Sequence, residues 1–81
     1  MERQELMAIF AAILVILADE AEGCPESTLY MVCRMDMGKW ETVRRVLMGN
    51  PPLVTIKGHW VTLTADGKTM AAKINAALKV G

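Results

Sequence analysis

Few residues in this chain have side chains suited to covalent or metal chemistry: one histidine, His59, and two cysteines, Cys24 and Cys33. The cysteines are nine residues apart, which matches no paired-thiol or zinc spacing, and His59 alone cannot complete a metal site. Cys33 falls among apolar residues, where a free cysteine behaves as a small hydrophobe. Cys24 falls at a turn and is the expected exposed thiol; both are read as reduced. There is no glycine-rich phosphate loop and no His-Glu-x-x-His string. The expectation is a binding protein rather than an enzyme, with no catalytic residue, metal or cofactor.

The chemistry that remains is recognition. In the stretch from Lys39 to Met48, helical spacing places Trp40, Val43, Val46 and Leu47 on one face. Lys39, Glu41, Thr42 and Arg45 fall on the other, with Arg44 and Met48 at its edge. A DNA major groove about 12 Å wide admits such a helix, and Arg or Lys can bond the O6 and N7 of guanine. Glu41 can accept from the amino group of cytosine or pair with Arg44 or Arg45 one turn on. For any one of these residues a solvated surface position is the commoner fate. The charge distribution fits an anionic partner: residues 1–26 carry six acids against Arg3, and residues 27–81 carry eight bases against three acids, although the net charge is zero.

Several elements must position these residues, and a chain of 81 residues predicts a single domain over 1–81. Helix one is predicted from Glu2 to Glu22, stopped by Gly23 and Pro25. Its core stripe is Leu6, Ile9, Phe10, Ile13, Leu14 and Leu17. Its opposite side, Met7, Ala8, Ala11, Ala12, Val15 and Ala18, is apolar as well. A helix apolar all round must be covered on all sides, which predicts a homodimer with these six residues in the seam. Leu6–Ala18 is a run of 13 apolar residues, short of the roughly 20 that span a bilayer, and Glu2 and Glu5 against only Arg3 precede it. No membrane partner is expected, and the compartment is read as cytoplasmic.

Helix two is predicted to begin at Pro25, with Leu29, Val32 and Cys33 inward. Asp36 caps helix three, which ends before Gly49, Pro51 and Pro52. The period then changes to two. Leu53–Ile56 and His59–Thr64 read as a hairpin turning at Lys57-Gly58, pairing Ile56 with His59, Thr55 with Trp60 and Val54 with Val61. Val54, Ile56, Val61 and Leu63 then face the core, with a partly buried His59 at the tip. Trp60 stands exposed on the other face as a candidate partner contact. Thr64 caps a last helix, Ala65–Lys79, with Met70, Ile74 and Leu78 on its buried side.

Two strings in this frame carry a resemblance. Lys39–Leu47 (K-W-E-T-V-R-R-V-L) is similar to the recognition helices of winged helix-turn-helix proteins. Val61–Lys68 (V-T-L-T-A-D-G-K) resembles a second wing strand running into a capped helix, as in the L-T-x-x-G-[KR] string of MarR-like, PadR-like and small archaeal or viral winged-helix proteins. The resemblance spans roughly residues 2–79. It implies an α+β, mostly helical winged helix-turn-helix fold: three helices, a two-stranded β-hairpin wing and a C-terminal helix. It further implies a small transcriptional regulator whose third helix reads duplex DNA, with Ser27, Thr28, Arg34 and Lys57 as the phosphate contacts, which anchor without reading sequence. The chain departs from the pattern in its neutral charge, its short wing and its very apolar first helix. Winged helices also serve as protein-interaction or inhibitor modules, including in viruses and mobile elements, and the many methionines of this chain suit that alternative.

Overall fold

The structure, a computed structural model, describes residues 2–79, so the expected domain limits at Met1 and Gly81 lie outside the described residues. It is an α+β fold of four helices and one three-stranded antiparallel sheet. In chain order the elements are α1 (Arg3–Asp19), β1 (Cys24–Pro25), α2 (Glu26–Val32), α3 (Met37–Leu47), β2 (Val54–Lys57), β3 (Trp60–Leu63) and α4 (Ala65–Lys79). The sheet order is β1-β3-β2.

Helix α1 closes three residues earlier than its apolar pattern predicts, because the Glu20 N–H turns back to the Leu17 carbonyl. A turn through Gly23, at φ 87°, then carries the chain against β3. A Cβ at Gly23 would overlap the Val61 carbonyl, so only glycine allows this approach. Beyond it, proline holds the preceding residue extended, and Cys24 and Pro25 pair with Val61 and Trp60. Pro25 is therefore the end of a strand and the N-cap of α2, not its first helical residue. Cys24 is buried in this strand rather than exposed in a turn.

The hairpin turns at Gly58-His59 instead of Lys57-Gly58, pairing Ile56 with Val61 and Lys57 with Trp60. Glycine at the first central position of a two-residue turn supplies the positive φ, here 61°, that lysine would resist. The partner of Ile56 thus moves by two residues, and a two-residue shift preserves the pleat. Val54 and Val61 are buried, Ile56 and Leu63 are half-buried, and Thr55 and Trp60 face outward as the alternation requires. His59 moves out of the core face to the exposed tip.

The core sits between α1, α3 and the inner face of the sheet. Ile13, Leu14 and Leu17 of α1 meet Leu29 of α2 and Trp40, Val43 and Leu47 of α3, closed by Val54, Val61 and Ala71. Each such aliphatic side chain contributes about 1.5–3 kcal/mol on burial. Two inward assignments change at the margins: Val32 is 60% and Val46 44% exposed. Helix α2 has only two turns, enough to direct Leu29 inward. On α3 the inward stripe is the i, i+3, i+7 set Trp40, Val43 and Leu47, which leaves Val46 on a flank.

Helix α4 is rotated relative to expectation. Gly67 and Ala71 are buried and Ile74 half-buried, whereas Met70 and Leu78 are exposed. The cause lies at Gly67, whose missing side chain lets α4 settle onto the Leu53 carbonyl. Thr64 fixes the start of that helix: its hydroxyl accepts from Gly67 N at 3.1 Å and donates to the Pro52 carbonyl at 2.7 Å. Helix propensity favours alanine over glycine by about 1 kcal/mol. Gly67→Ala is nonetheless expected to destabilise the protein by about 1–3 kcal/mol, because the added carbon would meet backbone. Urea unfolding of the two proteins checks the sign.

Candidate nucleic-acid interface

The outward face of α3 is set by its cap and its buried stripe. The Asp36 carboxylate accepts from Lys39 N at 2.8 Å, which fixes the first turn, and Trp40, Val43 and Leu47 fix the rotation. Glu41, Arg45 and Met48, spaced i, i+4 and i+7, then form a stripe on the solvent side with Arg44 beside it. These four side chains line an open concavity of about 370 Å³. Thr42 is also exposed, its hydroxyl donating to the Gly38 carbonyl at 3.2 Å.

Glu41 pairs with neither Arg44 nor Arg45, contrary to expectation, although the spacing permits both. Among the described residues the only lysine or arginine ion pair is Lys39–Glu5, beside a contact between His59 and Glu26. Lys39, an expected base-reading residue, is the one of these that is held by an acid. Its ammonium lies 2.7 Å from Glu5 Oε1, because the N-terminal turns of α1 and α3 adjoin. The hydrogen bond and charge of Glu5 raise the Lys39 pKa above the ordinary lysine value. The free cations on α3 are Arg44 and Arg45.

The expected phosphate-contacting residues fall into two groups. Ser27, half-buried, and Thr28, exposed, open α2. The first residue of that helix ties it to the hairpin tip, with Glu26 N donating to the His59 carbonyl at 2.7 Å. The exposed Lys57 is thereby brought toward the start of α2. His59 joins this group: its ring is exposed, and Nδ1 lies 3.5 Å from a mostly covered Glu26 carboxylate. Sequence reasoning placed His59 partly in the core; the preference of glycine for the first turn position was the available signal for the tip.

Arg34 lies at the other end of α2, exposed, with φ 54°, the one left-handed non-glycine residue among those described. Its N–H donates to the Met31 carbonyl and the Met35 N–H to the Tyr30 carbonyl, which is the Schellman closure of a helix. Glycine usually occupies this position because a side chain there is strained.

The two thiols are poor nucleophiles at neutral pH. Burial pushes the Cys24 pKa up, aided by the Glu20 charge, and burial pushes Cys33 up as well. Trp60 is 46% exposed, and its indole N–H is engaged by the Glu22 carbonyl at 2.8 Å. What it offers a partner is therefore its ring. Of the six expected seam residues, Ala8, Ala11, Ala12 and Val15 line an apolar groove of about 410 Å³ with Ile74 and Leu78 of α4. Met7 is exposed, whereas Ala18 lines a separate cleft.

Among the described residues no helix is long and apolar enough to cross a membrane. The chain matches no family model, no curated protein and no solved structure.

Strain at Arg34 yields a test that separates fold from binding. Arg34→Gly is expected to raise stability by about 0.5–1 kcal/mol by relieving the left-handed backbone. It is also expected to weaken any duplex binding by removing one cation. Thermal unfolding and anisotropy on the same samples check both signs.

Proposed function

We propose that this chain is a winged helix-turn-helix protein that binds duplex DNA and regulates transcription. The element order α1-β1-α2-α3-β2-β3-α4 with sheet order β1-β3-β2 is compatible with that fold. The observation that carries the reading is the unpaired pair Arg44 and Arg45 on the face of α3 opposite Trp40, Val43 and Leu47. Inserted in the major groove, Arg45 donates to a guanine edge and Thr42 bonds either kind of group. Arg44, at the edge, meets a phosphate, while Arg34 and Lys57 anchor the backbone from the turn and the wing.

Anisotropy with mixed-sequence duplex from about 25 to 250 mM salt tests this. Three cations on phosphates, Arg34, Arg44 and Lys57, give a slope of log K against log salt of about −2.5 to −3 for one copy. Arg45→Ala is expected to cost about 1–3 kcal/mol of binding. Lys39→Ala is expected to change affinity far less, since Glu5 already holds that ammonium. Equal losses from the two variants, or no binding at low salt, would refute the assignment.

A second reading rests on exposed apolar side chains beside the same helix. Met31 is 74%, Val32 60% and Met37 55% exposed, with Met48 and Val46 on α3. Such adaptable side chains suit a protein partner. Absence of DNA binding with retained fold favours this interaction-module reading.

We also propose that two copies associate through the groove between α1 and α4. Apolar surface uncovered along a helix is best removed from water by a like surface, and Ala8 and Ala12 let two backbones approach closely. Ala12 is exposed in one copy, so Ala12→Glu leaves the fold intact. It is expected to convert a dimer at about 100 μM into a monomer with unchanged helical circular dichroism. Sedimentation velocity reads the outcome, and a wild-type monomer at that concentration would overturn the proposal.

A further inference from the structure

We infer that Glu41 is the specificity-determining residue of the α3 face and reads the 4-amino group of a cytosine; this rests on the DNA reading above. Glu41 is exposed, opens the outward stripe and lines the same concavity as Arg44, Arg45 and Met48. It has no structural task. Asp36 caps the helix, and the Glu41 carboxylate enters no hydrogen bond or ion pair among the described residues.

A free carboxylate on a face that meets DNA is repelled by phosphate, so it weakens binding to duplex in general. It is favourable only where it meets a donor, because an ionised carboxylate has acceptors alone. The major groove offers two such donors, the amino groups of cytosine and adenine. On adenine the amino group stands beside the N7 acceptor, which repels a carboxylate. Cytosine presents its amino group without that neighbour. The guanine opposite presents O6 and N7, and Arg45 follows Glu41 by four residues, about 6 Å along the helix. An acid and an arginine at this spacing fit a cytosine and a guanine in the same or adjacent base pairs. Specificity then comes as much from what Glu41 rejects as from what it bonds.

The test passes the wild type, Glu41→Ala and Glu41→Gln through selection on a randomised duplex library, followed by anisotropy on the selected and on mixed-sequence duplex. Circular dichroism confirms that each variant is folded. The wild type is expected to prefer cytosine at one position by about tenfold. Glu41→Ala loses that preference while its affinity for mixed-sequence duplex rises severalfold. Glu41→Gln moves the preference to adenine, whose N6 and N7 a carboxamide can bond together. An identical base profile in all three proteins, or no cytosine preference in the wild type, overturns the inference while leaving DNA binding standing. A wild type that binds no duplex at low salt overturns the DNA reading, and this inference falls with it.

Discussion

Pairing of β3 along both of its edges is the constraint on which the arrangement of the whole molecule depends. Val61, fully buried, is the register partner of Cys24 on one side and of Ile56 on the other. Through β1 the central strand fixes where α2 begins, and through β2 it fixes where α3 ends. The Leu53 N–H donates to the Leu47 carbonyl, and the Leu53 carbonyl accepts from Thr64 N. The exit of α3 and the start of α4 are thus bound to the same point. With α2, α3 and the hairpin referred to one strand, the outward side chains of α3 and the tip of the hairpin hold a set relation. The proposed DNA reading requires such a relation, because base edges are read at hydrogen-bond tolerance.

Electrostatics refines what that frame presents. Residues 1–26 are acidic on balance and residues 27–81 basic, yet the charges do not simply segregate. Glu5 reaches across to Lys39 and withdraws one cation from the α3 face, while Glu41 remains on it unpaired. The remaining face is two arginines around one acid, with methionine at its edge. A surface optimised for phosphate alone would carry neither the acid nor the methionine. On the proposed DNA reading, this mixture suits discrimination more than tight indiscriminate binding, in keeping with a net charge of zero.

Much of the architecture was legible because its signals are local. The Asp36 cap and the apolar spacing of α3, the Thr64 start of α4 and the period-two strands each rest on interactions within a few residues. Helix α3 ends at Leu47 and α4 runs from Ala65 to Lys79, in agreement with those signals. The outward positions of Arg44, Arg45 and Glu41 follow from the same periodicity. The two-residue strand β1 was not legible, since two residues have no period and their partners lie 37 and 35 positions away. The hairpin turn was misplaced by one residue, but alternation survived because the pairing shifted by two.

Sequence alone determined the four helices and the hairpin strands, the core stripe of α1 and the exposed face of α3, because propensity, capping and periodicity act over one or two turns. Tertiary structure alone decided the buried side of α4, the burial of Cys24 and the capture of Lys39 by Glu5. The reason is close approach between segments distant in the chain. Gly67 meets the Leu53 carbonyl, Gly23 meets β3, and the first turns of α1 and α3 adjoin. No local pattern encodes such contacts, which depend on how the packed elements exclude one another's volume.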